Sequence, residues 1–147
     1  MIKQVLTNTL IALGIGYICQ LLQSFCQSQF LIVFLKANLI TLLIALLAIN
    51  SGTMGIVLTK IRELIDKAGA GSEAFQATKN EMLLSIKEQI ALIVISVVLL
   101  TVADSEIAKQ SKDLANIYPV LLFSIFSYSI INLYDTAKSV LIIIDYD

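Results

Sequence analysis

The chain has 147 residues, a formal net charge of −1, 58% hydrophobic against 14% charged residues, and a mean hydropathy of +0.89. Such values exclude a soluble globule and place the chain among integral membrane proteins. It has no His, no Trp, one Pro and two Cys, so it lacks the commonest general base and the commonest nitrogen metal ligand; its near-neutral charge argues against wholesale binding of nucleic acid or anionic lipid.

The first predicted span covers residues 4–26, with Asn8, Thr9, Gly14 and Gly16 in its interior and Gln20, Gln23 and Gln27 along one side of its far end. No small-residue cleavage motif follows its apolar run, which therefore reads as an uncleaved signal anchor. The glutamine row needs headgroups, water or another helix as partners, because an unsatisfied amide in hydrocarbon costs roughly 2–7 kcal/mol. Cys19 and Cys26 are seven residues apart, about 10 Å along one helix, too far to pair with each other, and read as apolar packing residues. Residues 28–37 (SQFLIVFLKA) are apolar but too few to span alone, so they form an interfacial turn or an early extension of the next helix.

The second span, 36–59, is the strongest. From Asn38 to Thr59 there are 22 residues without a charge, enough at about 1.5 Å per residue to cross a hydrocarbon core of about 30 Å. Asn38, Thr41, Ala45, Ala48, Gly52, Gly55 and Thr59, followed by Arg62, recur at alternating steps of three and four. This is the a/d rhythm of a heptad seam and leaves one face nearly bare of bulk. In lipid, small residues that let backbones approach are what mark a helix contact. That face is either a packing surface on a neighbouring helix of the same chain or a pore-facing seam repeated around a symmetric oligomer, with Asn50 and Ser51 adding polar contacts.

Residues 60–88 change character, with ten charges around the glycine-containing stretch Ala68–Ser72. They predict a helical hairpin that carries the second and third membrane helices into water, with Val57, Ile61, Leu64 and Ile65 facing Phe75, Met82, Leu83 and Ile86. The third span, 84–103, rests on a fourteen-residue apolar run from Ile90 to Ala103, bounded by Glu88 and by Asp104. A polar link leads to Pro119, where proline is tolerated in a first turn, so the fourth span is predicted over 119–139. Ser124, Ser127, Tyr128, Asp135 and Lys138 share one face of it, a second polar stripe. Counting basic residues puts seven on the side of both termini (Lys3, Lys60, Arg62, Lys67, Lys79, Lys87 and Lys138) and three on the other (Lys36, Lys109 and Lys112). The positive-inside rule then makes both ends cytoplasmic.

Asp135 and Lys138 are the first candidates for function, because an ionisable side chain inside a bilayer is usually kept for an ion pathway or relay. The bland alternative is an ion pair three residues apart at the headgroups. Lys60, Arg62 and Lys67 lie just below the second span and, repeated by symmetry, would ring a cytoplasmic mouth able to bind an anion. Against that ring, Glu63, Asp66, Glu73, Glu81 and Glu88 offset the basic residues of the hairpin. No glycine-rich phosphate loop, no nucleophile with a base and no metal-spaced cluster is present, so neither an enzyme nor a cofactor site is expected.

Four spans, a cytoplasmic hairpin, the stretch NLITLLIALLAINSGTMGIVLTKI and no catalytic domain together resemble the small membrane effectors of bacterial antiphage defence, most of all the Hailong-system effectors. The resemblance implies a homotetramer in the inner membrane, held shut by a short single-stranded DNA or nucleotide made by a partner nucleotidyltransferase. Loss of that ligand would open a channel and depolarise the cell, as in abortive infection. Carried onto this chain, the ligand would meet Lys60, Arg62 and Lys67. The expectation is therefore an all-α, four-helix integral membrane protein, a single transmembrane domain with a cytoplasmic hairpin extending helices 2 and 3. It would form a gated ion channel as a homo-oligomer; the rival is a non-conducting scaffold or regulatory subunit whose polar and small stripes are used up in packing.

Overall fold

The computed structural model describes residues 2–68, 76–106 and 112–144. Four long helices dominate: α1 (Ile2–Phe25), α2 (Phe30–Ala68), α3 (Gln76–Ala103) and α4 (Lys112–Ile144), with no strand among the described residues. Each contains a segment long and apolar enough to cross a membrane: Lys3–Phe25, Phe30–Glu63, Lys79–Ala103 and Asn116–Lys138. Consecutive helices run antiparallel. The end of the bundle carrying Gln4, Met82 and Asp135 is called the near end here, and that carrying Lys36 and Tyr118 the far end.

The turn between α1 and α2 is tighter than the sequence suggested. Ser28 N–H donates to the Gln23 carbonyl at 3.1 Å and Gln27 N–H to the Ser24 carbonyl at 3.2 Å, the bond pair of a Schellman ending. Gln27, with φ of 50°, occupies the left-handed position that glycine normally takes. Ser28 Oγ then accepts from Phe30 N–H at 3.3 Å, so one residue closes α1 and caps α2. Residues 30–37 thus extend the second helix and are not an interfacial turn. Cys19 packs on the core as expected, whereas Cys26 is exposed in this turn.

The start of α4 also differs from expectation. The helix begins at Lys112, so Pro119 lies two turns inside it and not in its first turn. Tertiary contacts hold the helix through a residue that cannot donate to the ladder: Tyr118 packs on the core, and Lys36 Nζ of α2 sits 5.1 Å from its ring centroid.

Two apolar clusters hold α2. Leu35, Leu39 and Leu43 pack with Leu122, Phe123 and Ile125 of α4 toward the far end. Val57 and Ile61 pack with Met82 of α3 toward the near end, joined by Met54, Ile65 and Val140. The second cluster brings together Val57, Ile61 and Ile65 of α2 and Met82 of α3, residues expected to face one another. Leu83 instead is exposed, while Phe75, residues 69–72 where the hairpin turn is expected, and the side chain of Leu64 lie outside the described residues.

α4 is the hub, packed against all three other helices and most extensively against α1. Ala12 and Gly16 are the buried positions of α1, four apart on one face. A Cβ on Gly16 would lie 2.7 Å from the Val120 carbonyl oxygen and 2.9 Å from the Ser124 nitrogen, whereas one on Gly14 would meet nothing within 4 Å. Backbone atoms cannot rotate aside as a side-chain tip can. Gly16→Ala is therefore expected to force α1 off α4 and lower stability by about 1–3 kcal/mol, while Gly14→Ala gains up to about 1 kcal/mol of helix propensity. Thermal unfolding of the two variants in detergent, followed by circular dichroism, checks the opposite signs.

Candidate functional site

Where α3 and α4 meet, the apolar interior gives way to a buried polar layer. Ser85 and Gln89 stand one turn apart on α3, and Asn132 and Thr136 one turn apart on α4, all four buried. Ser85 Oγ donates to Asn132 Oδ1 at 2.7 Å and lies 2.9 Å from Thr136 Oγ1. Asn132 Nδ2 donates to the Ser85 carbonyl at 3.0 Å and to Gln89 Oε1 at 3.4 Å. Gln89 Nε2 reaches the Leu43 carbonyl of α2 at 3.3 Å. Both N–H donors of the Asn132 amide are used and its oxygen accepts one bond, so neither polar atom is left without a partner inside hydrocarbon.

Two carboxyl groups border this layer. Tyr128 OH of α4 donates to Glu88 Oε2 of α3 at 3.0 Å. Asp135 Oδ2 of α4 accepts from Asn8 Nδ2 at 2.8 Å and from Gln4 Nε2 at 3.2 Å, both on α1. Gln4, Asn8, Glu81, Ser85, Glu88 and Asp135 line one cleft at the near end. It continues into an apolar groove floored by Leu121 and Ile125 of α4 and walled by Leu13 of α1 and Ile95 of α3. Among the described residues no group of three metal-ligating side chains occurs. The arrangement offers carboxylate and amide oxygens to water or a cation, and no nucleophile paired with a base.

Asn50 of α2 departs from the bonding rule at both polar atoms of its side chain. It is 1% exposed, and neither its Oδ1 nor its Nδ2 has a partner. An unbonded buried amide costs about 1–3 kcal/mol by protein mutational measures. Gln20 Oε1 and Gln23 Oε1 of α1 are also buried without partners, beside a polar cavity at the far end shared with Ser24, Gln27, Ser28 and Gln29.

The bulk-poor stripe of α2 points away from the rest of the chain. Thr41, Ala45, Ala48, Gly52, Gly55 and Thr59 are exposed and Asn38 is half-buried, and a Cβ on Gly52 or Gly55 would meet nothing within 4 Å. At about 100° per residue the stripe lies roughly opposite the buried face of Leu35, Leu39, Leu43, Asn50, Val57 and Ile61. Thr59 and Asn38 spend their side chains on their own helix, on the carbonyls of Gly55 and Phe34.

The remaining predicted residues scatter. Lys60 is half-buried and Arg62 exposed near the end of α2, while the side chain of Lys67 is outside the described residues. On α4, Ser124 is buried beside Gly16 and donates to its own Val120 carbonyl, Ser127 is half-buried, and Lys138 is exposed. The α4 stripe thus divides between the contact with α1 and the near-end surface. Sequence reasoning passed over Asn132, Thr136, Ser85 and Gln89; the signal available was their i, i+4 spacing on two neighbouring spans. Searches against protein families, curated proteins and solved structures found no match to this chain.

Ser85→Ala strips Asn132 Oδ1 of its donor and is expected to cost about 1–2 kcal/mol, while Ser85→Ala combined with Asn132→Leu costs less than the sum of the singles. A double-mutant cycle on unfolding in detergent measures the coupling, expected at about 0.5–2 kcal/mol.

Proposed function

We propose that the chain is an oligomeric membrane effector in which copies of α2 gather about a common axis to form a gated ion pathway. Its action would be to depolarise a bacterial inner membrane in antiphage defence. On this reading the near end of the bundle is cytoplasmic, both termini lie on that side, and α2 and α3 extend beyond the membrane as a helical hairpin. A short single-stranded DNA or nucleotide, made by a partner nucleotidyltransferase, would bind at Lys60, Arg62 and Lys67 of several copies and hold the pathway shut.

One observation carries the reading: the small face of α2 is left bare by the chain's own helices, with open space over Gly52 and Gly55. Apolar side chains gain little by leaving lipid for another helix, so a glycine- and alanine-lined face is useful chiefly for close backbone approach. Thr41 and Thr59 would add hydroxyls along the same line. Placing copies of a single chain around an axis normal to the membrane satisfies such a face by symmetry.

The hydrogen-bonded Ser85–Asn132–Thr136 layer favours a second reading, a non-conducting scaffold, because its polar groups find partners inside one subunit. Ion flow separates the two. Purified protein with Cys19 and Cys26 replaced by serine, reconstituted in vesicles with a potassium gradient, is expected to collapse the membrane potential. Thr41→Cys or Ala48→Cys in that background is expected to lose most of the flux, about tenfold, on adding a water-soluble thiol reagent. Intact potential in the presence of folded protein, or flux indifferent to the reagent at both positions, would remove α2 from the wall of any pathway.

A further inference from the structure

We infer that α2 has two seatings against the α3–α4 pair and that Asn50 sets the balance between them. In the seating seen here its amide is buried unbonded; in the other it joins the polar layer of Ser85, Gln89, Asn132 and Thr136.

Leu43, Asn50 and Val57 share the buried face of α2; the Leu43 carbonyl receives Gln89 of α3, and Val57 and Ile61 pack with Met82 of α3. Asn50, between Leu43 and Val57, therefore faces the stretch of α3 from Met82 to Gln89, which carries Ser85. An amide with both atoms idle thus faces the stretch that carries the bonded polar layer. A polar group in hydrocarbon finds partners only within protein, so the two belong to one layer, interrupted in this seating.

Two further features make the exchange feasible. The bonds of Gln89 are long, 3.3 and 3.4 Å, so its amide is the member of the layer most easily recruited by a new partner. The cluster below Asn50 includes Met54 and Met82, whose unbranched side chains refill a space after a shift more readily than branched ones. On its other side α2 meets no obstacle at Gly52 or Gly55. A small rotation or slide of α2 would carry Asn50 into the layer.

The two seatings stand on this geometry alone; equating them with closed and open states rests on the function proposed above. The test uses the full chain with Cys19 and Cys26 replaced by serine and spin labels on Thr59→Cys of α2 and Lys138→Cys of α4, both exposed positions. Labelled chains are diluted with unlabelled ones in lipid nanodiscs so that only distances within a chain are read. The parent is expected to give two distances. Asn50→Leu, which has no hydrogen bond to gain, is expected to cut the second population at least tenfold, equivalent to about 1.4 kcal/mol, and to raise the unfolding temperature. Asn50→Ala, which removes the amide without adding bulk, should deplete the same population. A single distance in the parent, an unchanged ratio in both variants, or a lower unfolding temperature for Asn50→Leu would overturn the inference, the last because it would mean the amide is already satisfied. No readout involves ion flow, so failure of the channel reading and failure of this one are distinguishable.

Discussion

A buried amide in a membrane helix has no water to turn to, and the α3–α4 contact is organised by that constraint. A hydrogen bond between membrane helices adds only about 0.6 kcal/mol on average, while stranding one of its partners costs about 1–3 kcal/mol. The layer of Ser85, Gln89, Asn132 and Thr136 is thus worth less as a source of stability than as a register lock. Sliding α3 by one turn would strand several of these groups together. Apolar surfaces facing lipid supply no such discrimination, since leucine meets leucine and acyl chains on similar terms. The hub role of α4 follows, because it carries the layer on one side and close contact with α1 on another.

This ranks the helices by how firmly they are held. α1 is fixed on α4 at two heights, by backbone approach at Gly16 and by the amides of Gln4 and Asn8 on Asp135. α2 is held at its far half by interdigitated leucines and at its near half by a methionine-containing cluster, with the unbonded Asn50 between. Its outer face meets no other helix of the chain. The near half of α2 is thus the part that can move at least cost, and it leads toward Lys60 and Arg62.

Four apolar spans were legible because burial in lipid needs only length and hydropathy, and these are visible one residue at a time. The facing of Val57 and Ile61 with Met82 was legible for the same reason, as two apolar stripes flanking a glycine-containing break. Pairings across the bundle were not. Asp135 drew attention beside Lys138, three residues away, as an ionisable pair in the bilayer or at the headgroups; its hydrogen-bond donors on α1 are 127 and 131 residues away in sequence, where local spacing gives no signal. Gly52 and Gly55 stood out by their period, while Gly16, in a less regular span, makes the close approach within the chain. Pro119 marked a helix start on local grounds, and contacts of Tyr118 outside its own helix override that preference.

The proposed ligand site and the Asn50 layer lie on one helix, and that continuity bears on how a signal would travel. Arg62 follows Asn50 by twelve residues, about 18 Å along a continuous helix. Rotation of α2 about its axis at Asn50 is rotation at Arg62 as well, so a ligand held by several copies would resist it directly. The energy required is small. A tenfold bias between seatings takes about 1.4 kcal/mol, and one charge-assisted hydrogen bond made in only one seating supplies about 1.5–3 kcal/mol. A ligand that contacts both seatings equally would shift nothing however tightly it binds. Gating on this design therefore depends on where α2 places its cations relative to those of the neighbouring copies, and hardly at all on net charge, since residues 60–88 carry as many acidic as basic side chains.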